Sequence, residues 1–226
     1  RAKRELGISR EHHAEIAVRS HQLAAQADQL GLFGTEIIPI QLMKEMFNSD
    51  EGVRGESSLN KVSKLLPAFN KFGTITAANA SQMSDGASIG AITSLAFAKG
   101  IGRAPLAKII SFAEVAGPDT SLHLKPAYAI ELALKKAGLK ITDIDLFEIN
   151  EAFAAVVAAT CTHLKIPLDV TNVNGGAIAI GHPLGGTGFR LVLTLAKELQ
   201  RRGARYGVAS LCGGGGQGFA VIIERI

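Results

Sequence analysis

Three short segments of the chain place a reactive side chain among residues small enough to let a ligand approach. They are residues 150–154, which begin with Asn150, residues 174–188, which contain His182, and residues 212–218, which begin with Cys212. Histidine and cysteine are partners in nucleophilic catalysis, and unhindered backbone N–H groups can stabilise a developing oxyanion. The sequence therefore contains the parts of such a site, provided that the fold brings the three segments together.

The segment Asn150-Glu151-Ala152-Phe153-Ala154 falls between a predicted strand and a predicted helix. In open α/β sheets, ligands gather at the carboxyl ends of the strands, which is where Asn150 would lie. Asparagine is also a favoured helix cap, so Asn150 could instead only cap a helix that starts at Glu151. Both interpretations are open from the sequence.

His182 lies between Gly181 and Pro183, which presents it on a constrained turn rather than on a helix face. A histidine there either takes part in chemistry or is a structural hydrogen-bonding group. Residues 185–188 (GGTG) precede a predicted helix whose N-terminus could bind an anion. The segment matches neither a P-loop nor the dinucleotide-binding fingerprint, so the evidence for phosphate binding there is weak.

Cys212 ends a predicted strand and is followed by four glycines, so its thiol would project from a loop with unhindered N–H groups. The alternative is a flexible hairpin with an incidental buried thiol. The loop is longer than a tight hairpin requires, and this length favours the functional interpretation.

The other titratable candidates are weaker. The histidines of the first helix, which are His12, His13 and His21, are predicted to form a solvated face. Cys161 is predicted to be a core thiol, and because Cys161-Thr162-His163 has no second ligand pair, no metal site is expected.

Hydrophobic spacing predicts the elements that must position these residues. Ser9 caps a first helix that Gly31 ends, and the polar, turn-rich residues 32–75 are typical of a surface subdomain. From residue 106 the order β-α-β-α-β-α-β-β predicts an α/β domain, with a mostly parallel sheet between helical layers and an antiparallel last pair. The predicted strands are 107–116, 144–149, 169–173, 206–212 and 218–225, and the helices are 126–138, 151–165 and 187–202.

Composition limits the classes of function. Hydrophobic residues make up 47% and charged residues 19% of the 226 residues, which is typical of a globular protein. The net charge of +4 suits an anionic small molecule better than nucleic acid. No apolar run is long enough for a membrane helix, and residues 1–5 do not begin a signal peptide. Two cysteines form no disulfide framework, so we expect a cytoplasmic protein.

Taken together, the motifs NEAFA (150–154), GGAIAIGHPLGGTG (175–188) and CGGGGQG (212–218) resemble those of the C-terminal half of the thiolase family, in the family's order and spacing. NASQMSDGA (79–87) and ISREHHAEIAVRSHQLAAQA (8–27) extend the resemblance over essentially the whole chain. Thiolases are acetyl-CoA acetyltransferases or 3-ketoacyl-CoA thiolases. The resemblance implies a layered α/β fold of two similar halves and a loop domain that binds coenzyme A.

The resemblance also implies a division of the chain. Residues 1–81 would be a mostly helical and irregular loop domain that binds coenzyme A. Residues 82–105 would end the N-terminal half, and residues 106–226 would be the complete C-terminal thiolase domain. The β-α-β-α-β-α-β-β order agrees with the family's half-fold.

The family's roles can be carried onto matching residues. His182 would activate a nucleophilic cysteine, Cys212 would move a proton to or from the α-carbon of the acyl-CoA, and Asn150 would fix a water of the first oxyanion hole. The backbone N–H of Gly214 would contribute to a second oxyanion hole. The residues implied to bind coenzyme A are Arg54 near its adenine end, Ser81 at the pantetheine, and Phe153 along the pantetheine tunnel.

The chain departs from the family pattern in two places. The nucleophilic cysteine would lie upstream of Arg1, and neither Cys161 nor Cys212 can take its role. Where many thiolases carry Met-Gly-x-Gly-Pro, residues 122–126 read LHLKP, so the acyl-chain preference is open. The expected partners are acyl-CoA or coenzyme A as substrate, and either a second copy or the missing N-terminal thiolase half. No further cofactor, nucleic acid or membrane is expected.

Three hypotheses follow. The first is that the chain is part of a thiolase and is inactive without the missing half. The second is a non-catalytic acyl-CoA-binding protein or subunit. The third is a cysteine hydrolase in which His182 activates Cys212 directly.

Overall fold

The structure is a computed structural model and describes residues 5–226. Residues 1–4, which contribute to the predictions about a signal peptide and the loop domain, lie outside the described residues. The described helices are α1 (Arg10–Gln29), α2 (Leu59–Val62), α3 (Leu95–Gly100), α4 (Lys125–Ala137), α5 (Ala154–Leu164), α6 (Ala177–Ile180) and α7 (Leu184–Arg202). The described strands are β1 (Ile40–Gln41), β2 (Met46–Phe47), β3 (Ala107–Ala116), β4 (Leu146–Ile149), β5 (Tyr206–Gly213) and β6 (Gln217–Arg225).

The main sheet is mixed, with the strand order β3-β6-β5-β4. Only β4 and β5 pair in parallel, while β6 pairs antiparallel with both β5 and β3. The predicted α/β class and the antiparallel last pair are confirmed, but the expectation of a mostly parallel sheet is wrong. The tight β5–β6 hairpin reverses the chain, and because β3 then pairs with β6, two of the three pairs become antiparallel.

The predicted strand at residues 169–173 does not form. Residues Leu168–Val170 make a 3-10 turn, and Thr171 joins Phe147 only through an isolated bridge. Asn172 adopts the left-handed conformation, with φ of 46°, which ends the extended backbone. Its side-chain amide bonds both the N–H and the C=O of Ile149 at 2.8 Å. A side chain thus occupies the edge of β4 where backbone of the next strand was expected.

The helices cover both faces of the sheet, as predicted. Alternate residues of β5 and β6 point to opposite faces, so Val208 and Ile222 pack with α4 and α5, while Ala209 and Ile223 pack with α7. The first cluster is the larger one and also includes Ile16 of α1. No helix within residues 5–226 is long and apolar enough to cross a bilayer.

The first helix is more deeply buried than its sequence indicates. Ser9 caps α1 as predicted, its hydroxyl accepting a hydrogen bond from the N–H of His12 at 3.1 Å. His13 and His21 are only 1% and 7% exposed, so their predicted solvated face is wrong, and only His12 is partly exposed. The reason is that α1 packs against α5 and α6 and also contacts α2.

Residues 32–75 are mostly exposed and irregular, as expected of a surface subdomain, and residues 76–105 continue in the same way. They include exposed apolar side chains, such as Met83, Ile89 and Ile92, which are 103%, 82% and 77% exposed. On the main sheet Phe112 of β3 is also 70% exposed, because α7 covers the β4–β5 side of its face.

Candidate functional site

Asn150 lies at the carboxyl end of β4 and is fully buried. Its N–H donates to the carbonyl of Ser210 on β5 at 2.8 Å, which fixes it to the neighbouring strand. Helix α5 begins only at Ala154, with Phe153 at the N-cap position. The interpretation of Asn150 as a mere cap is therefore wrong, and so is the predicted start of the helix at residue 151.

The amide of Asn150 contacts the imidazole of His182. Asn150 Nδ2 is 3.2 Å from His182 Nε2, and on the other side of the ring His182 Nδ1 is 2.7 Å from Thr187 Oγ1. Burial is the main cause that lowers the pKa of His182, and the positive charge of Arg190 lowers it further. The ring is therefore neutral at physiological pH, and one of its nitrogens has a lone pair that can accept a proton.

The backbone around His182 has little freedom. Helix α6 ends at Ile180, Gly181 has a φ of 94°, and α7 begins at Leu184. A Cβ on Gly181 would be both strained and 2.2 Å from the Ser84 hydroxyl, so only glycine fits. Residues 185–188, predicted to precede a helix, lie inside the first turn and a half of α7. The two helices hold the histidine turn from both sides.

A buried carboxyl group anchors α6. Glu151 is 1% exposed and accepts hydrogen bonds from Ser20 Oγ at 2.5 Å, Asn172 Nδ2 at 3.0 Å and the N–H of Ile178 at 3.1 Å. The Ser20 hydroxyl also accepts from the N–H of Gly176 at 3.1 Å. Burial raises the pKa of Glu151, and these hydrogen bonds oppose the rise. Helix α1 is thus joined to the helix that leads to His182.

A second buried carboxyl lies on β4. Burial raises the pKa of Glu148 to about 8, although the guanidinium of Arg190 on α7 lies 3.4 Å away. Glu148 is therefore mostly protonated at neutral pH, and the charge of Arg190 also acts on the nearby carboxyls of Glu36 and Asp50. This charge disfavours the imidazolium form of His182.

Cys212 lies at the same end of the sheet. Ile149 is opposite Ser210 in the parallel pair, so Cys212 comes two residues further along β5. Its thiol is 8% exposed, and burial raises its pKa to about 11. Within residues 5–226 no hydrogen bond joins Cys212 to His182. Gly214 is exposed in the turn of residues 214–216 that joins β5 to β6.

A cavity of about 520 Å³ lies between the surface subdomain and α6. Arg54, His21, Gln82 and Ile178 line it. The N–H of Arg54 donates to Nδ1 of the buried His21 at 3.2 Å, and Gln82 Nε2 is 2.9 Å from the carbonyl of Ile178. The cavity wall therefore continues through α6 towards His182.

Ser81 and Phe153 come together on one side of the site. The N–H of Ser81 donates to the carbonyl of Ala152 at 3.0 Å, and Ala80 forms a bridge with Phe153. The Phe153 ring meets Phe69 edge-on, with centroids 6.2 Å apart. An apolar surface of this kind could line a channel for a flexible chain.

The structure thus places Asn150 against His182 and Ser81 against the segment of Phe153, while Arg54 lines the cavity. Cys212 and Gly214 lie at the same sheet end, with no hydrogen bond to the imidazole among the described residues. Cys161 is a buried core thiol, as predicted, and burial raises its pKa to about 11. No metal-binding group of three His, Cys, Asp or Glu occurs in residues 5–226.

Sequence reasoning missed Thr187, Glu151, Ser20 and His21 as supporting residues. Thr187 had a usable signal, because a hydroxyl five residues after a histidine at a helix start can reach back to the ring. Ser20 and Glu151 are 131 positions apart, and no local pattern pairs them.

Two family models match the chain: "Thiolase, N-terminal domain" over residues 1–94 and "Thiolase, C-terminal domain" over residues 103–225. A probable acetyl-CoA acetyltransferase of Mycobacterium leprae is 44% identical over 224 residues, which cover 97% of this chain and 57% of that protein. A 3-ketoacyl-CoA thiolase of Bacillus subtilis is 44% identical over 231 residues, covering 96% of this chain and 59% of its own.

Solved structures agree with these matches. The human mitochondrial 3-ketoacyl-CoA thiolase in complex with CoA superimposes with a TM-score of 0.93 at 42% identity, over 100% of this chain and 57% of that one. The Bacillus anthracis acetyl-CoA acetyltransferase gives a TM-score of 0.92 at 38% identity, over 100% and 58%. The chain therefore spans less than three fifths of the length of these proteins.

Proposed function

The chain belongs to the thiolase family, and from that premise we propose that it supplies the histidine, asparagine and proton-transferring cysteine of a site that moves acyl groups to or from coenzyme A. The reaction is thiolysis of a 3-ketoacyl-CoA or its reverse, the Claisen condensation of acetyl-CoA. The observation that carries the proposal is the contact of Asn150 Nδ2 with His182 Nε2 at 3.2 Å.

His182 acts first as a base and then as a donor. Nε2 of its neutral ring takes the proton of a nucleophilic thiol, and the resulting Nε2–H then donates to the thioester oxygen. Asn150 supports the same oxygen through a water, since its buried Oδ1 has no partner in the described part of the chain. The lowered pKa of His182 ensures that the ring starts in its neutral form.

Cys212 moves the proton at the α-carbon. When the bond between the α- and β-carbons of the ketoacyl-CoA breaks, the electron pair remains on the acetyl-CoA enolate, and the Cys212 thiol protonates that carbon. A pKa raised to about 11 suits this role, because the resting group is the thiol and its thiolate is a strong base for the next proton transfer. The backbone N–H of Gly214 donates to the enolate oxygen.

The nucleophilic thiol comes from outside these 226 residues. The chain has two cysteines. Cys161 is enclosed in the core, with Sγ 3.9 Å from Thr171 Oγ1, and Cys212 has the other role. The exposed ring of Phe112 and a neighbouring cavity of about 290 Å³ beside α7 offer an apolar face to the missing half. We expect the chain without that half to be inactive and to dimerise or aggregate.

Coenzyme A occupies the cavity of Arg54 and continues past Ser81 and Phe153 towards His182. Arg54 is an exposed residue that lines the cavity, so its guanidinium can approach the adenine end, while the paired rings of Phe153 and Phe69 flank the pantetheine. The name of the human relative states that it was solved with CoA, which supports the same ligand for this chain.

The geometry argues against a hydrolase in which His182 activates Cys212. Such a pair depends on a lowered thiol pKa, whereas burial raises that of Cys212. In addition, no hydrogen bond joins Cys212 to His182 within residues 5–226, where the ring nitrogens of His182 face Asn150 and Thr187.

The test joins the missing segment to this chain. The N-terminal part of the Escherichia coli acetyl-CoA acetyltransferase, which is 42% identical where the two overlap, is fused ahead of residue 1. Cleavage of acetoacetyl-CoA by free coenzyme A is followed by its ultraviolet absorbance. We expect activity in the fusion, none in the chain alone, and a loss of about 10²–10⁴-fold in His182→Gln and in Cys212→Ser.

Activity of the chain alone, or full activity of either variant, would contradict the proposal. A fusion that is folded and inactive but binds coenzyme A would instead support a non-catalytic binding protein. The cytoplasmic location stays a prediction. Relatives occur in different compartments, since two human ones are named peroxisomal and mitochondrial.

A further inference from the structure

Thr187 is the second partner of the imidazole, and it is almost completely buried. Thr187 is 1% exposed, and its Oγ1 lies 2.7 Å from His182 Nδ1 and 3.1 Å from the carbonyl of Pro183. Thr187 lies in the first turn of α7, where its own N–H donates to the same carbonyl at 3.0 Å. The hydroxyl is thus held by the helix in one position.

The hydrogen bonds define which ring nitrogen carries the proton. If the Thr187 hydroxyl donates to Pro183, it has only lone pairs to offer Nδ1, so Nδ1 must donate. Independently, Nε2 faces the amide NH₂ of Asn150, which has only hydrogens to offer, so Nε2 must accept. Both contacts require the neutral tautomer with the proton on Nδ1.

The opposite tautomer would need two changes at once. Thr187 would have to donate to Nδ1, and the Asn150 amide would have to flip so that Oδ1 accepted from Nε2. Both Nδ2 hydrogens of the fully buried Asn150 would then occupy the present position of Oδ1. Oδ1 has no hydrogen-bond partner there among residues 5–226, so the two hydrogens would have none either. Buried N–H groups without a partner are rarer than under-satisfied oxygens, so this arrangement is disfavoured.

We propose that Thr187 is a positioning residue that keeps the proton on Nδ1 of His182, so that only Nε2 exchanges a proton during the reaction. The role in a reaction rests on the proposed function, whereas the assignment of the tautomer does not. The Nδ1–H to Oγ1 bond is present in both the neutral ring and the imidazolium. The ring can therefore gain and lose a proton on Nε2 without rotating or changing its other contact.

The tautomer is tested directly by NMR of the chain with ¹⁵N-labelled histidine. There are six histidines, and the His182 signals are those that disappear in His182→Gln. At about pH 8, above the lowered pKa of His182, we expect a protonated Nδ1 and a bare Nε2. Thr187→Ser keeps the hydroxyl and should keep this pattern. The nearly isosteric Thr187→Val should shift the proton partly to Nε2, because only the Asn150 contact then favours a proton on Nδ1.

Thr160→Val is the matched control. Thr160 is fully buried in α5, and its Oγ1 has no hydrogen-bond partner in the described residues, so the same substitution there should leave the His182 signals unchanged. A bare Nδ1 in the wild-type protein would overturn the proposal without any variant. It would also be overturned by a folded Thr187→Val protein with unchanged ring signals.

An activity measurement separates this proposal from the proposed function. In the active fusion, Thr187→Val should lower kcat by about 10- to 100-fold with little change in KM, and Thr187→Ser should restore most of it. If the NMR pattern is as expected but the fusion of wild-type chain is inactive, the proposed function fails and the tautomer assignment stands. If wild-type is active and Thr187→Val shifts the proton without lowering kcat, the positioning role is wrong.

Discussion

Replacing Ser20 by alanine tests how strongly α1 is joined to the helix before His182. The Ser20 hydroxyl donates to the buried Glu151 carboxyl at 2.5 Å and accepts from the N–H of Gly176 at 3.1 Å. At a pH where Glu151 is ionised, loss of a hydrogen bond to its carboxylate costs about 1.5–3 kcal/mol, and a buried N–H without a partner costs about 1–3 kcal/mol. We expect Ser20→Ala to lower the free energy of unfolding by about 3 kcal/mol or more.

The matched control is Ser111→Ala on β3. The Ser111 hydroxyl is also buried, but it makes one neutral hydrogen bond, to the carbonyl of Ala133 at 2.7 Å. Its loss should cost about 1 kcal/mol. Urea unfolding followed by circular dichroism gives both values, and an unchanged m-value shows that the unfolding transition is comparable.

The effect of Ser20→Ala should also depend on pH. The hydroxyl stabilises the ionised form of Glu151, whose pKa burial raises, so the loss should be greater at pH 8 than at pH 5. A loss no greater than that of Ser111→Ala, at both pH values, would refute the reasoning.

Two further predictions concern the other buried groups. The pKa of Glu148 rises to about 8 in the folded protein, so between about pH 5.5 and 7.5 folding takes up a proton, and stability should fall as pH rises, by up to about 1.4 kcal/mol per unit. Glu148→Gln should remove that contribution in urea titrations, while the other buried titratable groups contribute equally to both proteins, so the same pH slope in wild type and variant would contradict the assignment. Burial raises the pKa of Cys212 to about 11, so iodoacetamide at pH 8 should alkylate its thiol more than about 10-fold more slowly than that of glutathione. Mass spectrometry measures both rates. Rapid labelling of the folded protein would show that the thiol is not protected.

The sequence predicts the elements best where its patterns are strong and local. The β5–β6 hairpin is marked by glycines between two apolar runs, and α4 is bounded by Pro126 and Gly138, so these elements lie within one or two residues of their predicted ends. The strand at 169–173 fails because Asn172 leaves the extended conformation to bond β4 with its side chain. A polar side chain that imitates a strand has no periodic signal.

The candidate site divides in the same way. Asn150 and His182 stand out because unusual neighbours surround them, and the structure places their side chains in contact. The supporting roles of Ser20 and His21 could not be predicted, since these residues act only after α1 has packed on α5 and α6. The proximity of Cys212 to the ring stays a prediction.

The larger core cluster crosses the boundary between the two family-model regions. Ile8, Ile16 and Ala17 from the first region share it with Ile130, Phe147 and Val157 from the second. A polypeptide that began at residue 106 would leave the surfaces of α5 and α6 that pack against α1, and the carboxyl of Glu151, open to water. The evolutionary module and the folding unit therefore have different borders. A transplant of the C-terminal region into another protein must also include α1 (Arg10–Gln29).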